Sequence, residues 1–197
     1  HSYGATQAGW SQNSSQNNRW EFGGEWNANE DFQFGYYDNR SRDWDNIASL
    51  APYYLMVKSA GNKRSENGPA VGGNYWRYDQ SGVLVDAGPR PEGISSNNSY
   101  DILPRYATAK NILTVGAVNA LPEGYKNSSQ VIMSSFSSWG PTDDGRIKPD
   151  VVANGVGLTI TSSSSDNTYT TASGTSMSSP NASGSLLLLQ EHYNLQT

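Results

Sequence analysis

Cysteine is absent from the 197 residues, which excludes disulfide scaffolds, thiolate metal centres and cysteine nucleophiles together. Histidine is almost as scarce, with 2 in all, His1 and His192. A histidine-rich metal site is therefore excluded. Positive charge is in deficit: 13 Lys and Arg stand against 18 Asp and Glu, a formal net charge of −5. That balance argues against nucleic acid or an anionic membrane as partner. No run of about 18 apolar residues occurs, so no segment reads as a membrane span. Hydrophobic residues make up only 35% of the chain, and the mean hydropathy is −0.66. What is present points the other way from disorder. There are 6 Trp, 12 Tyr and 4 Phe, residues that disordered chains lack. The sequence reads as a folded, acidic chain of one domain or two small ones.

Residues 1–40 are polar and aromatic without sustained periodicity, so mostly ordered loop is expected, with a short strand at the start. Asp38 to Leu50 suits a helix, capped by Asp38 or Ser41, with Trp44, Ile47, Ala48 and Leu50 as its apolar stripe. Tyr53–Val57 is a short apolar run that stops at Ser59-Ala60-Gly61-Asn62, the pattern of a buried strand ending in a glycine turn. Ile112–Val118 and Val131–Phe136 read as further buried strands. Val151–Ala153 and Leu158–Ile160 read as short ones, and Thr175–Tyr193 as a helix. Strands alternating with helices predict an α/β fold with a mostly parallel sheet. Residues 63–106 are rich in Gly, Pro, Asn and Arg, too long for a structureless connection. Their Tyr75, Trp76, Arg77 and Arg90 either shape a substrate pocket or pack a surface loop.

The most informative string is Ser173-Gly174-Thr175-Ser176-Met177-Ser178-Ser179-Pro180, leading into an apolar helix. A serine there lies near unpaired backbone N–H groups and the positive end of the helix dipole. Gly174 lets a substrate backbone approach without a Cβ in the way. Pro180 fits a first turn, where no intrahelical N–H partner is needed. A bare Gly-Thr-Ser would be an ordinary helix cap.

The full string resembles the nucleophile signature of the subtilisin-like serine proteases, the subtilases. Ser59-Ala60-Gly61-Asn62 is similar to the family's oxyanion turn, and Lys110–Ala117 to the strand that follows it. Phe136–Pro141 with Asp144–Val151 resembles the segment before the nucleophile. His1-Ser2-Tyr3-Gly4 resembles the strand that pairs with the substrate backbone. The nearest likeness is to the alkaline, oxidatively stable branch. The resemblance implies a three-layer subtilisin-like α/β fold and a serine endopeptidase acting on proteins or peptides. It implies Ser176 as nucleophile and Asn62 as side-chain oxyanion donor. It also implies a substrate-binding set of Ser2, Tyr3, Gly4, Ser59, Ala60, Gly61, Gly174 and Thr175.

Other features depart from the family pattern. The triad Asp and His should precede the Ser2–Gly4 strand, where this sequence starts, so residues 1–197 are expected to be the C-terminal part of a catalytic domain. An upstream segment would carry the base and its acid, and this part alone would be inactive. Neither His1 nor His192 lies in the family's histidine context, and Asp150 in Lys-Pro-Asp-Val reads as structural. Residues 63–106 are expected to be an insertion. Asn181 stands where the family has a histidine or aliphatic residue. No cofactor is implied; calcium is an expected structural ion without an assignable site. The polar surface and acidic balance suit an extracellular or cell-surface location. A degenerate subtilase serving as a binding or scaffold module is the alternative. A Gly-x-Ser-x-Gly esterase elbow does not occur.

Overall fold

The computed structural model describes residues 9–24, 28–98 and 100–196. In chain order they form β1 (Trp10–Asn13), β2 (Arg19–Phe22), α1 (Asn39–Leu50), β3 (Val57–Ser59), β4 (Asn74–Tyr78), β5 (Leu84–Pro89), β6 (Leu113–Val118), β7 (Val151–Asn154), β8 (Leu158–Thr161), β9 (Tyr169–Ala172) and α2 (Thr175–Gln196). The chain is mixed α/β, as its alternating pattern predicts.

Strands β3, β6 and β7 make a parallel sheet in that spatial order. Val57 pairs with Leu113, and Val115 with both Ser59 and Val151. The central strand β6 is Leu-Thr-Val-Gly-Ala-Val, with Val115 and Ala117 fully buried. Residues apolar on both faces are what a covered parallel strand requires. Helix α2 packs on all three strands, through Thr175, Ser178, Ser179 and Ala182. Small side chains let the helix lie close to the sheet, while Leu187, Leu188 and Leu189 remain exposed.

Two expected strands are corrected. The apolar run Tyr53–Val57 is not a buried strand: Tyr53, Tyr54 and Leu55 are exposed, and β3 begins only at Val57. Lys58, Ser59 and Ala60 are buried instead. Tyr53–Leu55 line an open groove of about 460 Å³ with Leu186 and Leu187 of α2. Residues 131–136 cross the end of β6 with one bridge, Met133 to Val118. No ladder forms because Ser137 Oγ takes the Ala117 N–H at 3.0 Å.

Helix α1 starts where its cap predicts, with Asp38 Oδ1 accepting the N–H groups of Arg40 and Ser41. Its apolar stripe is not its buried face. Ile47 and Leu50 are exposed, whereas Ser41 and Asp45 are buried. Asp45 accepts the N–H groups of Lys110 and Asn111 and the Tyr37 hydroxyl, so polar bonds dock this helix.

The described part of residues 1–40 is mostly ordered loop, as expected, and carries two short strands. Strands β1 and β2 form an antiparallel hairpin, and β2 pairs in parallel with β4, which pairs antiparallel with β5. Trp10, Phe22, Tyr75 and Ile94 are the core of this four-stranded unit. Arg77 is buried in it. Arg90 donates to the carbonyls of Asn67, Pro69 and Ile94 and lies 4.7 Å from the Trp10 ring. Tyr75, Arg77 and Arg90 are thus packing residues.

Candidate active site

Two glycine-dependent turns bring Asn62 to the start of the helix that carries Ser176. Gly61 has φ of +105°, and a Cβ there would stand 2.9 Å from Pro104 Cγ and 3.1 Å from Ser138 Oγ, so only glycine fits. Ala60 beside it is fully buried with Leu103 and Ala107. On the other side, the hairpin β8–β9 returns the chain so that Gly174 N–H bonds Gly155 C=O at 2.8 Å. A Cβ on Gly155 would meet Ala117 Cβ at 2.6 Å and Gly174 O at 2.8 Å, so this approach also depends on glycine.

Helix α2 starts directly after that contact. Thr175, 1% exposed, joins the two turns. Its N–H donates to Asn62 Oδ1 at 2.9 Å and its hydroxyl donates to the same oxygen at 2.8 Å. The Gly61 N–H in turn donates to Thr175 Oγ1 at 3.1 Å. With the amide oxygen held by two donors, Asn62 Nδ2 is its remaining polar end. It lies 3.2 Å from where a Gly174 Cβ would be. Ser176 is half-buried in the first turn, next to Thr175. Pro180, read as a first-turn residue, is the sixth residue of α2, inside the helix. It leaves that position without an N–H to donate to the preceding turn.

Of the sequence-derived set, Ser59, Ala60, Gly61, Asn62, Gly174, Thr175 and Ser176 converge on one junction. Ser2, Tyr3, Gly4 and His1 lie outside the described residues. His192 is exposed, sixteen residues beyond Ser176 on the same helix, about 24 Å at 1.5 Å per residue, and pairs with Gln196 at 3.0 Å. It is out of reach as a base for Ser176. Asp150 Oδ2 accepts from Lys148 Nζ and from Thr114 N, each at 2.7 Å, a structural arrangement.

Three further features of the described residues were not singled out from sequence. Lys58, 1% exposed, donates to Ser59 O at 2.8 Å and Ser59 Oγ at 3.0 Å, and burial lowers it from 10.5 to about 8. Its position inside a strand just before the glycine turn is the signal that marked it. Arg64 donates to the carbonyls of Ser134 and Ser135 and stacks 4.0 Å from the Trp139 ring centroid. Asp101 and Asp143 converge beside Gly35. Burial, reinforced by the charges of Asp143 and Glu30, pushes Asp101 up to about 7. Among the described residues, no group of three His, Asp or Glu side chains is arranged to hold a metal ion. No helix among them is long and apolar enough to cross a membrane.

A parallel α/β sheet carrying a serine in the first turn of a helix, against an asparagine turn, is an arrangement suited to a serine hydrolase. The model of the subtilase family, Peptidase S8, matches residues 1–197, and the chain belongs to that family of serine proteases. A C5a peptidase of Streptococcus pyogenes serotype M18 (strain MGAS8232) is 47% identical over 78 residues, 40% of this chain and 7% of that protein. A PII-type proteinase of Lactococcus lactis subsp. cremoris is 45% identical over 62 residues, 32% of this chain and 3% of that protein. The chain thus spans only a small part of the curated relatives it matches. Among solved structures, the patellamide maturation protease PatA is similar over 83% of this chain and 42% of its own, at 22% identity and a TM-score of 0.47.

Proposed function

We propose that residues 1–197 are the C-terminal part of a subtilase catalytic domain that hydrolyses peptide bonds through an acyl-enzyme on Ser176. Ser176 Oγ attacks the scissile carbonyl, and the charge that develops on its oxygen is met by Asn62 Nδ2 and the Ser176 N–H. The observation that carries this reading is the double hold of Thr175 on Asn62 Oδ1, which orients the amide with its donor end outward. Ser2–Gly4 and Ser59–Gly61 flank the substrate backbone, with Gly174 and Thr175 at the junction. The triad Asp and His are assigned to polypeptide not included in this sequence, because neither His1 nor His192 lies in the family's histidine context. A serine lacking its base is a weak nucleophile, so these residues alone are inactive. Residues 63–106 are an insertion that builds half of the four-stranded unit. The chemistry needs no cofactor, and the acidic, polar composition suits an extracellular or cell-surface enzyme.

Fluorophosphonate labelling of the full polypeptide that carries these residues tests the proposal. Ser176 is expected to be modified in the wild type, with labelling abolished in Ser176→Ala. A folded full polypeptide that takes no label would instead identify a catalytically dead subtilase module.

A further inference from the structure

A cation almost wholly removed from water stands four residues ahead of Asn62 and belongs to no ion pair among the described residues. Burying an ammonium is costly, and the chain does so at Lys58 with 1% exposure. Its partners are both on the next residue, Ser59 O at 2.8 Å and Ser59 Oγ at 3.0 Å. Among the described residues, strand β3 lies at the end of its sheet. The Ala60 N–H donates inward to Val115 O at 2.9 Å, so the Ser59 carbonyl of the same trans peptide points outward. Among the described residues no strand meets that carbonyl. The Lys58 ammonium meets it instead, and the Ser59–Ala60 peptide is pinned from both sides.

The next links of the turn are held in the same way. Gly61 N–H is bonded to Thr175 Oγ1 at 3.1 Å. Gly61 C=O accepts from Ser138 N at 2.8 Å, and Lys63 N–H donates to Ser138 Oγ at 3.1 Å. Lys58 is the first anchor of this series and the only titratable one. The elements packed against β3, strand β6 and the part of α2 from Thr175 to Gln190, contain no titratable side chain. No neighbouring carboxylate compensates the ammonium; burial is what lowers its affinity for the proton.

We propose that Lys58 is a positioning residue for the oxyanion donor: its buried ammonium fixes the Ser59–Ala60 peptide and thereby the placement of Asn62 Nδ2. The inference rests on the reading of Asn62 as that donor. Loss of the Lys58 proton removes the charge from the anchor and slackens the turn, so catalysis carries an alkaline limb that originates away from the triad.

The experiment uses the full polypeptide, with steady-state peptide hydrolysis and fluorophosphonate labelling rates followed from pH 6 to 10. Wild type is expected to lose kcat with a midpoint near pH 8. Lys58→Met should lower kcat about 10- to 100-fold, the scale of a small misplacement of a catalytic group, with KM within about twofold. Its remaining rate should be flat across the alkaline range. Lys58→Gln, which keeps an N–H donor without a titrating charge, should recover part of the rate and remain flat. Asn62→Ala is the control for the underlying reading; if it leaves kcat unchanged, both ideas fall. If Asn62→Ala is impaired while a folded Lys58→Met keeps wild-type kcat or the alkaline limb, the Lys58 role alone is wrong. Should Lys58→Met not fold, the comparison of wild type with Lys58→Gln decides, and a wild type without the limb overturns the proposal by itself.

Discussion

Thr175 grips the amide oxygen of Asn62 twice, from its backbone N–H at 2.9 Å and its hydroxyl at 2.8 Å. Residues 113 positions apart are thereby locked at the start of helix α2. The hydroxyl also accepts the Gly61 N–H, so one buried side chain serves both turns of the site.

Replacing Thr175 with Val keeps its shape and removes the hydroxyl. The Gly61 N–H then loses its acceptor, at about 1–3 kcal/mol for an unsatisfied group, and the Asn62 amide is held by one donor instead of two. We expect a lower melting temperature and a kcat deficit, with Thr175→Ser close to wild type in both. An upper bound for kcat loss is the roughly 10²–10³ measured for removal of the oxyanion asparagine of a subtilisin, a value borrowed from that enzyme. Thermal melts and kcat of the full polypeptide check it.

Gly61→Ala should be more damaging than its size suggests. The residue has φ of +105°, and the added methyl would stand 2.9 Å from Pro104 Cγ, so both backbone strain and a clash oppose it. Expected is a loss of activity greater than that of Thr175→Ser, with a lowered melting temperature. Gly82→Ala is the control, since it has positive φ but open space around it. Equal effects of the two substitutions would refute the steric part of the argument.

Arg64 holds the exit of the Asn62 turn through the carbonyls of Ser134 and Ser135 and its stack on Trp139. A charged hydrogen bond is worth about 1.5–3 kcal/mol, and Lys lacks the planar fork that reaches two carbonyls while stacking. Arg64→Lys is therefore expected to lower the denaturant midpoint nearly as much as Arg64→Ala. Full retention by Lys would show that charge alone suffices.

Asp101 gives the protein a pH dependence of known sign. Burial, then the charges of Asp143 and Glu30, raise it from 3.8 to about 7 in the folded state. A carboxyl raised on folding favours the native state while protonated in the fold, and that contribution fades as pH climbs from about 4 to 7. Asp101→Asn should therefore gain stability relative to wild type as pH rises through this window. Denaturant melts at pH 5 and pH 8 read it directly; an unchanged difference between the two proteins at those values would contradict it.

What could be read from the residues alone follows a physical division. Parallel strand β6, the Asp38 cap of α1 and the helix after Gly174 depend on local patterns, and these were legible. So was the approach of the Asn62 turn to the start of α2, because motif order carries information that periodicity does not. The misread segments are those where polar atoms decide the packing. Tyr53–Leu55 is more apolar than Lys58-Ser59, yet Lys58-Ser59 is the buried pair. Ile47 and Leu50 look like the inner stripe of α1, yet Ser41 and Asp45 face inward because they bond Thr108, Lys110 and Asn111. The pairing of β2 with β4 joins segments some fifty residues apart, and neither segment contains a sign of the other.

That parallel pairing makes the two segments one inheritance. Trp10 and Phe22 come from the first and Tyr75 and Ile94 from the second. Excision of either would leave the other with a bared aromatic surface and no partner strand. A shortened relative should lack both pieces or neither, and a graft of this unit onto another protease would have to carry both across.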